Sequence, residues 1–465
     1  MDTKLIVRLV ILLFFASPLY VKAKITLNPL FSDGMVLQQK TKDKIWGNSD
    51  KLDHKVTVKT SWDNKEFFTK TDKEGKWNII IETPGYGGPY SIEISDGEKI
   101  NIHNVMIGEV WLCSGQSNMN MNFNGNYNEP VLGSLDDLFS SENSQIRMFT
   151  VDKKMHSEPL TNCGGSWKES SPKNILEFSA VGYFFAKKIH EVLKIPIGII
   201  HTSYGGSRVE AWMSKESLVT YKGMDDIHNG SILYNGMLSP IVGFGIRGCL
   251  WYQGEANVDA PDLYTKLFPD LVADWRNKWG IGYFPFYYAQ IAPFNYNHGQ
   301  GKGKDSSYLR EAQMKCLDLI PSSGMVTLTD LGSPNTIHPI EKKMVGNRFA
   351  YMALVRTYGM EGLSSSGPIY KSMNIKENKI IISFDGLTRG LTSYHLPLTD
   401  FEIAGSDKVF YPAKAIISND KKSVAVYSDK VNKPVSVRYA FKDYVKGSLF
   451  NMDGLPASSF RTDSW

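Results

Sequence analysis

The spacing of apolar residues along this chain changes twice. Over residues 24–105 they fall in short β-rich runs, Val56-Thr57-Val58, Trp77-Asn78-Ile79-Ile80-Ile81 and Tyr90-Ser91-Ile92-Glu93-Ile94. The clusters Asp72-Lys73-Glu74-Gly75 and Pro84-Gly85-Tyr86-Gly87-Gly88-Pro89 separate them. Short strands bounded by Gly- and Pro-rich turns predict a small β-sandwich. From 106 to 360 the pattern becomes strand, then helix, repeated. Five apolar runs read as strands: Val110-Trp111-Leu112-Cys113, Pro196-Ile197-Gly198-Ile199-Ile200, Gly248-Cys249-Leu250-Trp251-Tyr252, Phe286-Tyr287-Tyr288-Ala289 and Met325-Val326-Thr327-Leu328. Between and after them, apolar residues recur at helical spacing: Val181, Phe184, Phe185, Ile189, Val192 and Leu193, then Leu263, Leu267, Leu271 and Trp275. Residues 309–319 and 344–355 complete the helical set. This alternation predicts an α/β region with a parallel sheet and helices on both faces. From 361 to 465 the chain returns to short strands such as Lys379-Ile380-Ile381-Ile382-Ser383 and Val424-Ala425-Val426-Tyr427, with Asp385-Gly386 and Asn419-Asp420 as turns. A second small β-rich domain is expected there.

Composition narrows the picture only a little. The 465 residues exceed one small core, and the 42% hydrophobic and 22% charged fractions are those of a globular protein. A net charge of +4, without a dense Lys/Arg run, gives no reason to expect a nucleic-acid partner. Aromatic residues reach 12%, with 10 Trp, which suits β-sandwich cores and also suits a sugar-binding cleft.

Residues 1–23 read as a cleavable signal peptide. Lys4 and Arg8 precede a short apolar stretch over 9–15, and Val21-Lys22-Ala23 supplies a cleavage site. That stretch is shorter than the roughly 20 residues a membrane span needs. Export to a periplasm, to the outside or into a vesicular compartment is therefore expected, with no membrane span and no lipoprotein cysteine. Of the four cysteines, Cys113 and Cys249 lie in strand-like runs and Cys316 in a helix-like one; with Cys163 they are read as free thiols, mostly buried. No C-x-x-C or His/Cys cluster suggests a metal.

The chemistry gathers at the strand ends, where open α/β sheets bind ligands. Ser117 follows the first strand in Gly115-Gln116-Ser117-Asn118. His201-Thr202-Ser203-Tyr204-Gly205-Gly206-Ser207 follows the second, and Gln253-Gly254-Glu255-Ala256-Asn257 the third. Asp330 and then Ile337-His338-Pro339 follow the fifth. Taken singly, each has an ordinary reading: Ser117 as a turn or capping residue, Gly205-Gly206 as a turn, His338 as a loop histidine, Glu255 as a capping or ion-pair residue. Together they supply the parts for acyl transfer: a hydroxyl nucleophile, an imidazole base, and donors for an oxyanion. Glycines let backbone N–H groups approach closely, and a Gln amide is a neutral donor.

With these residues placed, the chain resembles the sialate O-acetylesterases of the SGNH-hydrolase superfamily. The resemblance is carried by Gly108-Glu109-Val110-Trp111-Leu112-Cys113-Ser114-Gly115-Gln116-Ser117-Asn118-Met119, Gly205-Gly206-Ser207-Arg208-Val209-Glu210-Ala211-Trp212, Trp251-Tyr252-Gln253-Gly254-Glu255-Ala256-Asn257 and Ile337-His338-Pro339. Phe31-Ser32-Asp33-Gly34-Met35-Val36-Leu37-Gln38 and the segment 454–463 extend it over essentially the whole chain after residue 23. It implies a flavodoxin-like SGNH α/β domain (106–360) flanked by small β domains (24–105 and 361–465). It also implies hydrolysis of acetyl esters on sugar hydroxyls, with O-acetylated sialic acids as the leading substrate, without metal or organic cofactor. Ser117 would be the nucleophile and His338 the base; the Ser117 N–H, a Gly205 or Gly206 N–H and the Gln253 side chain would form the oxyanion hole. Many superfamily members carry Asp three residues before the histidine, whereas Asn335 stands here. Asp330, Glu255 or a backbone carbonyl is then left to orient His338. Arg208 suits a substrate carboxylate.

Two other readings compete. The same chemistry on acetylated xylan or another glycan is separated by comparing substrates. A non-catalytic carbohydrate-binding protein, motivated by Asn335 and the aromatics, is separated by turnover of a generic acetyl ester.

Overall fold

The computed structural model describes residues 25–221, 230–296 and 305–465; the signal-like residues 1–23 lie outside them. The first part is built from short antiparallel strands whose side chains alternate in burial, as Lys76–Glu82 does with Trp77, Ile79 and Ile81 inward. Lys42–Asn48 pairs with Lys76–Glu82 and with Thr26–Leu27. Lys55–Thr60, Glu66–Lys70 and Gly87–Ser95 form a second layer. This layer continues directly into the middle of the molecule through one strand of 17 residues, β1 (Lys99–Gly115). The first part of β1 pairs antiparallel with Gly87–Ser95, and from Glu109 onward it lies between parallel neighbours.

Those neighbours are β2 (Ile197–Ser203) and β3 (Gly248–Tyr252), followed outward by β4 (Phe286–Ala289) and β5 (Ser323–Val326). The five lie in the order β2-β1-β3-β4-β5, all parallel. Their residues are buried, as strands covered on both faces must be. Successive side chains feed two different cores. Leu112, Cys249, Trp251 and Phe286 pack with α2 (Pro261–Trp279) and α3 (Ser306–Leu319). Trp111, Cys113, Leu250 and Tyr287 pack with α1 (Ala180–Leu193) and α4 (Lys342–Arg356). The fold is thus mixed α/β, with a large mixed sheet and further β layers.

The expected strands and helices are present, with small shifts: β5 starts two residues before the expected Met325, and α3 and α4 start at Ser306 and Lys342. One parallel strand is unexpected, Asn143–Thr150 on the outer side of β2. Its apolar pattern is broken by Arg147, which is buried because its guanidinium donates to the carbonyls of Gly34 and Asn104. A buried polar hub marks the middle of β1. The Glu109 carboxylate accepts from Gln38, Gln39, Arg247 and Tyr358, so three separate segments meet on one side chain.

The last hundred residues form two four-stranded antiparallel sheets around Ile380, Ile382, Phe401, Val424, Val426 and Tyr439. They are fastened to the α3 side of the parallel sheet: Arg461 clasps Glu311 at 2.9 and 3.1 Å, and Gln290 and Ser458 exchange hydrogen bonds. All four cysteines are unpaired, and Cys113, Cys249 and Cys316 are buried. Among the described residues no helix is long and apolar enough to cross a membrane.

Candidate active site

Beyond Gly115 the chain turns sharply into the one-turn helix Ser117–Asn120. Gly115 takes φ +137°, and a Cβ there would lie 2.1 Å from the Tyr252 carbonyl oxygen, so only glycine lets β1 end this close to β3. Three bonds staple the turn to the β3 loop: Gln116 N–H donates to Tyr252 O, and Gln116 Oε1 accepts from the N–H groups of Gly254 and Ala256. Behind the turn, Ser179 Oγ donates to Met119 O at 2.6 Å from the start of α1. Ser117 is therefore half-buried on a rigid corner, and as the first residue of its helix it has no helical acceptor for its N–H.

The loop before α4 brings His338 to this corner. His338 Nε2 lies 2.9 Å from Ser117 Oγ, and its Nδ1 lies 2.8 Å from Glu129 Oε2. Glu129 comes from the loop after the nucleophile turn. Its carboxylate also accepts from Thr336 Oγ1, whose oxygen accepts the His338 N–H, and from Asn126 Nδ2 at 3.0 Å. Burial alone would raise the Glu129 carboxyl, but the Thr336 and Asn126 bonds and the facing imidazole outweigh it and hold it below its usual range. Burial pushes the His338 imidazole down from 6.5, against the pull of Glu129 and with the push of the Lys342 charge. A neutral ring with its Nδ1 proton on Glu129 leaves Nε2 free to accept the Ser117 proton.

The two carboxylates expected to orient His338 are occupied elsewhere. Asp330 forms a paired contact with Arg348 at 2.8 and 2.5 Å, and both side chains are largely buried. Glu255 accepts from Asn118 Nδ2 at 2.5 Å, one residue past the nucleophile rather than beside the imidazole. Asn335 is exposed. The carboxylate that meets His338 Nδ1 is that of Glu129, which sequence reasoning missed. It is the first carboxylate after Ser117, in a segment with Asn at every second position from 118 to 128. That isolation is the only signal the sequence offers.

The expected oxyanion donors divide. Gly205 sits against Ser117, since a Cβ on it would lie 3.8 Å from Ser117 Cβ. Tyr204 N–H donates to Gly115 O, tying this turn to the end of β1. Gly206 takes φ +71°, and neither glycine N–H donates to a backbone carbonyl among the described residues. Gln253 does not join them. It is fully buried, and its amide N–H groups donate to Ser207 O at 3.2 Å and Asn257 Oδ1 at 2.7 Å. Both donors are consumed in shaping the loop.

A cavity of about 300 Å³ opens on the glycine turn, lined by Met155, Tyr204, Gly205, Gly206, Arg208 and Glu210 among others. Arg208 is committed in part: Nη1 donates to Ala256 O and Asp259 Oδ1 at 2.9 Å each, and Nε to Glu210 Oε1 at 3.3 Å. Burial works against its charge, and Glu210 and Asp259 more than restore it. Among the described residues no group of three or more His, Cys, Asp or Glu side chains is arranged to hold a metal ion.

A family model described as carbohydrate esterase, sialic acid-specific acetylesterase matches residues 107–354, which hold Ser117, Glu129 and His338. The sialate O-acetylesterase of Pongo abelii is 29% identical over 349 residues, covering 66% of this chain and 65% of the relative. That of Homo sapiens is 28% identical over 347 residues, again covering 66% and 65%. The chain thus matches just under two thirds of the length of these relatives. A carbohydrate acetylesterase from Xanthomonas citri of known crystal structure superposes with a TM-score of 0.86 and 34% identity, covering 95% of this chain and 100% of the other. With a family model that spans more than half of the chain, this protein belongs to the carbohydrate esterase, sialic acid-specific acetylesterase family.

Proposed function

We propose that this protein is a serine esterase that removes O-acetyl groups from sugar hydroxyls through an acetyl-enzyme. The observation that carries the reading is the continuous chain Ser117–His338–Glu129, with contacts of 2.9 and 2.8 Å. Ser117 Oγ attacks the acetyl carbonyl carbon while His338 Nε2 takes its proton. The oxyanion formed is met by the N–H groups of Ser117 and of Gly205 or Gly206. Collapse breaks the bond to the sugar oxygen, which receives the proton from His338. Water then attacks the acetyl-Ser117 carbonyl, giving its proton to His338, and acetate leaves as Ser117 recovers its own. Glu129 fixes the tautomer and faces the imidazolium throughout. The order β2-β1-β3-β4-β5, with Ser117 at the end of β1, supports reading the parallel sheet as the SGNH-hydrolase arrangement.

O-acetylated sialic acid is the first substrate reading, supported by the family and by the curated relatives. A neutral acetylated glycan is the second. The observation favouring it is that Arg208, an arginine lining the cavity, is flanked by Glu210 and Asp259, which offset its charge. Export is proposed on the strength of residues 1–23. The test is acetate release from an O-acetyl sialoside and from acetylated neutral polysaccharides. Release from sialoside alone supports the first reading, and release from neutral polymers alone the second. Wild-type protein that releases acetate from no ester would sink both.

A further inference from the structure

One buried charge near the nucleophile has no part in the steps above. Lys342 opens α4, and its side chain is fully buried. Its Nζ donates to Asn118 Oδ1 at 2.5 Å and lies 5.6 Å from the centre of the Tyr252 ring. The other end of the same amide, Asn118 Nδ2, donates to Glu255 Oε1 at 2.5 Å and to Ile337 O at 3.1 Å. Asn118 follows Ser117, and Ile337 precedes His338. A single amide therefore holds together the residue after the nucleophile, the residue before the base, and a buried ion of each sign. A lysine is rarely buried so completely unless the site needs it, because removing its charge from water is costly.

We propose that Lys342 is a positioning residue: through Asn118 it fastens the nucleophile turn to the histidine loop, and its charge opposes a second positive charge on His338. The groups facing it come from every element packed around it. Glu255 approaches from the turn after β3, Glu129 from the nucleophile loop and Glu341 from its own side, and all three favour its charged form. Burial outweighs them and brings Lys342 down to about 7. The groups facing His338 are Ser117, Glu129 and Lys342. Burial holds the His338 ring below its usual value, and a protonated Lys342 repels a second positive charge there. Glu129 alone would raise the base; burial is the larger force holding it down, and the Lys342 charge adds to it, which helps keep Nε2 open to mildly acidic pH.

The proposal rests on Ser117 and His338 being nucleophile and base, but its test does not depend on turnover. The His338 ring is titrated by NMR in full-length wild type, Lys342→Met and Lys342→Gln, with the resonance assigned by loss in His338→Asn. Methionine removes both charge and donor; glutamine removes the charge and keeps a donor for Asn118. The expected result is a rise of the His338 pKa by about half a unit to one unit in both variants. In steady-state assays kcat should fall about tenfold in Lys342→Met and partly recover in Lys342→Gln. An unmoved ring titration in folded variants overturns the proposal. If the methionine variant does not fold, the glutamine variant decides the titration alone. Wild-type protein without esterase turnover would fail the functional reading and leave the ring titration to decide this one.

Discussion

Among the described residues two Ser–His pairs stand at neighbouring strand ends, and their surroundings differ. Ser117 and His338 meet at 2.9 Å, both half-buried, with Glu129 behind the ring. Ser203 and His201 meet at 2.5 Å at the end of β2, and both are almost wholly buried. His201 has Phe178 at its edge, and its Nδ1 has no hydrogen-bond partner among the described residues. Burial, with the charge of Lys153, drives its ring down to about 3. An imidazole driven that far down is a weak proton acceptor, however close the hydroxyl. Contact distance is thus the weaker criterion; access and a group that accepts the Nδ1 proton separate the two pairs.

The largest effect that sharpens this contrast is loss of the hydroxyl. Ser117→Ala should lower kcat/KM for acetate release by at least about 10⁴-fold and abolish labelling by a serine-directed phosphonate. Ser203→Ala should stay within about twofold of wild type. Equal losses in the two variants would erase the distinction. Next comes the carboxylate. Glu129→Gln should cost about 10²- to 10⁴-fold in kcat with little change in thermal stability. Asp330→Asn should do the reverse, leaving kcat within about threefold while destabilising the protein by about 3 kcal/mol, since Arg348 would keep its charge without its partner. Calorimetry and steady-state kinetics on the same preparations check both. The smallest effect is on pH. His338 must be neutral to accept a proton, and burial holds its pKa below 6.5. The acid limb of kcat/KM should therefore lie below pH 6.5, with activity lost as the pH falls through it. In Glu129→Gln the limb should move lower still, because the charge that raises the ring is gone. A limb above 6.5 in wild type would contradict the described burial.

What could be read in advance follows from which features are local. The five parallel strands are continuous apolar runs, and each is followed by small or polar residues, so strand ends and their hydroxyl, glycine and imidazole were visible without coordinates. Glu129 was not, because it reaches His338 across two hundred residues from an asparagine-rich loop with no periodicity. Gln253 was misread for a related reason. An amide at a strand end has the right chemistry for an oxyanion donor, but its availability depends on whether Ser207 and Asn257 take its N–H groups first. The strand Asn143–Thr150 escaped because a buried arginine, satisfied by distant carbonyls, breaks the apolar pattern that marks a strand.

The strand that ends at the nucleophile is anchored far outside the parallel sheet, and this bears on how the protein can be cut or recombined. Lys99–Gly115 passes unbroken from the first β layers to Ser117, with Glu109 gathering Gln38, Gln39, Arg247 and Tyr358 along the way. A fragment trimmed to begin at residue 106 would sever the beam that carries the reactive corner. It would also strip Glu109 of two of its donors and uncover the strand edge along which Val36 and Leu37 pair with it. The N-terminal layers are therefore not a cassette to be deleted or exchanged. Any chimera that keeps this active corner has to keep the strand's full length and both of the surfaces that grip it.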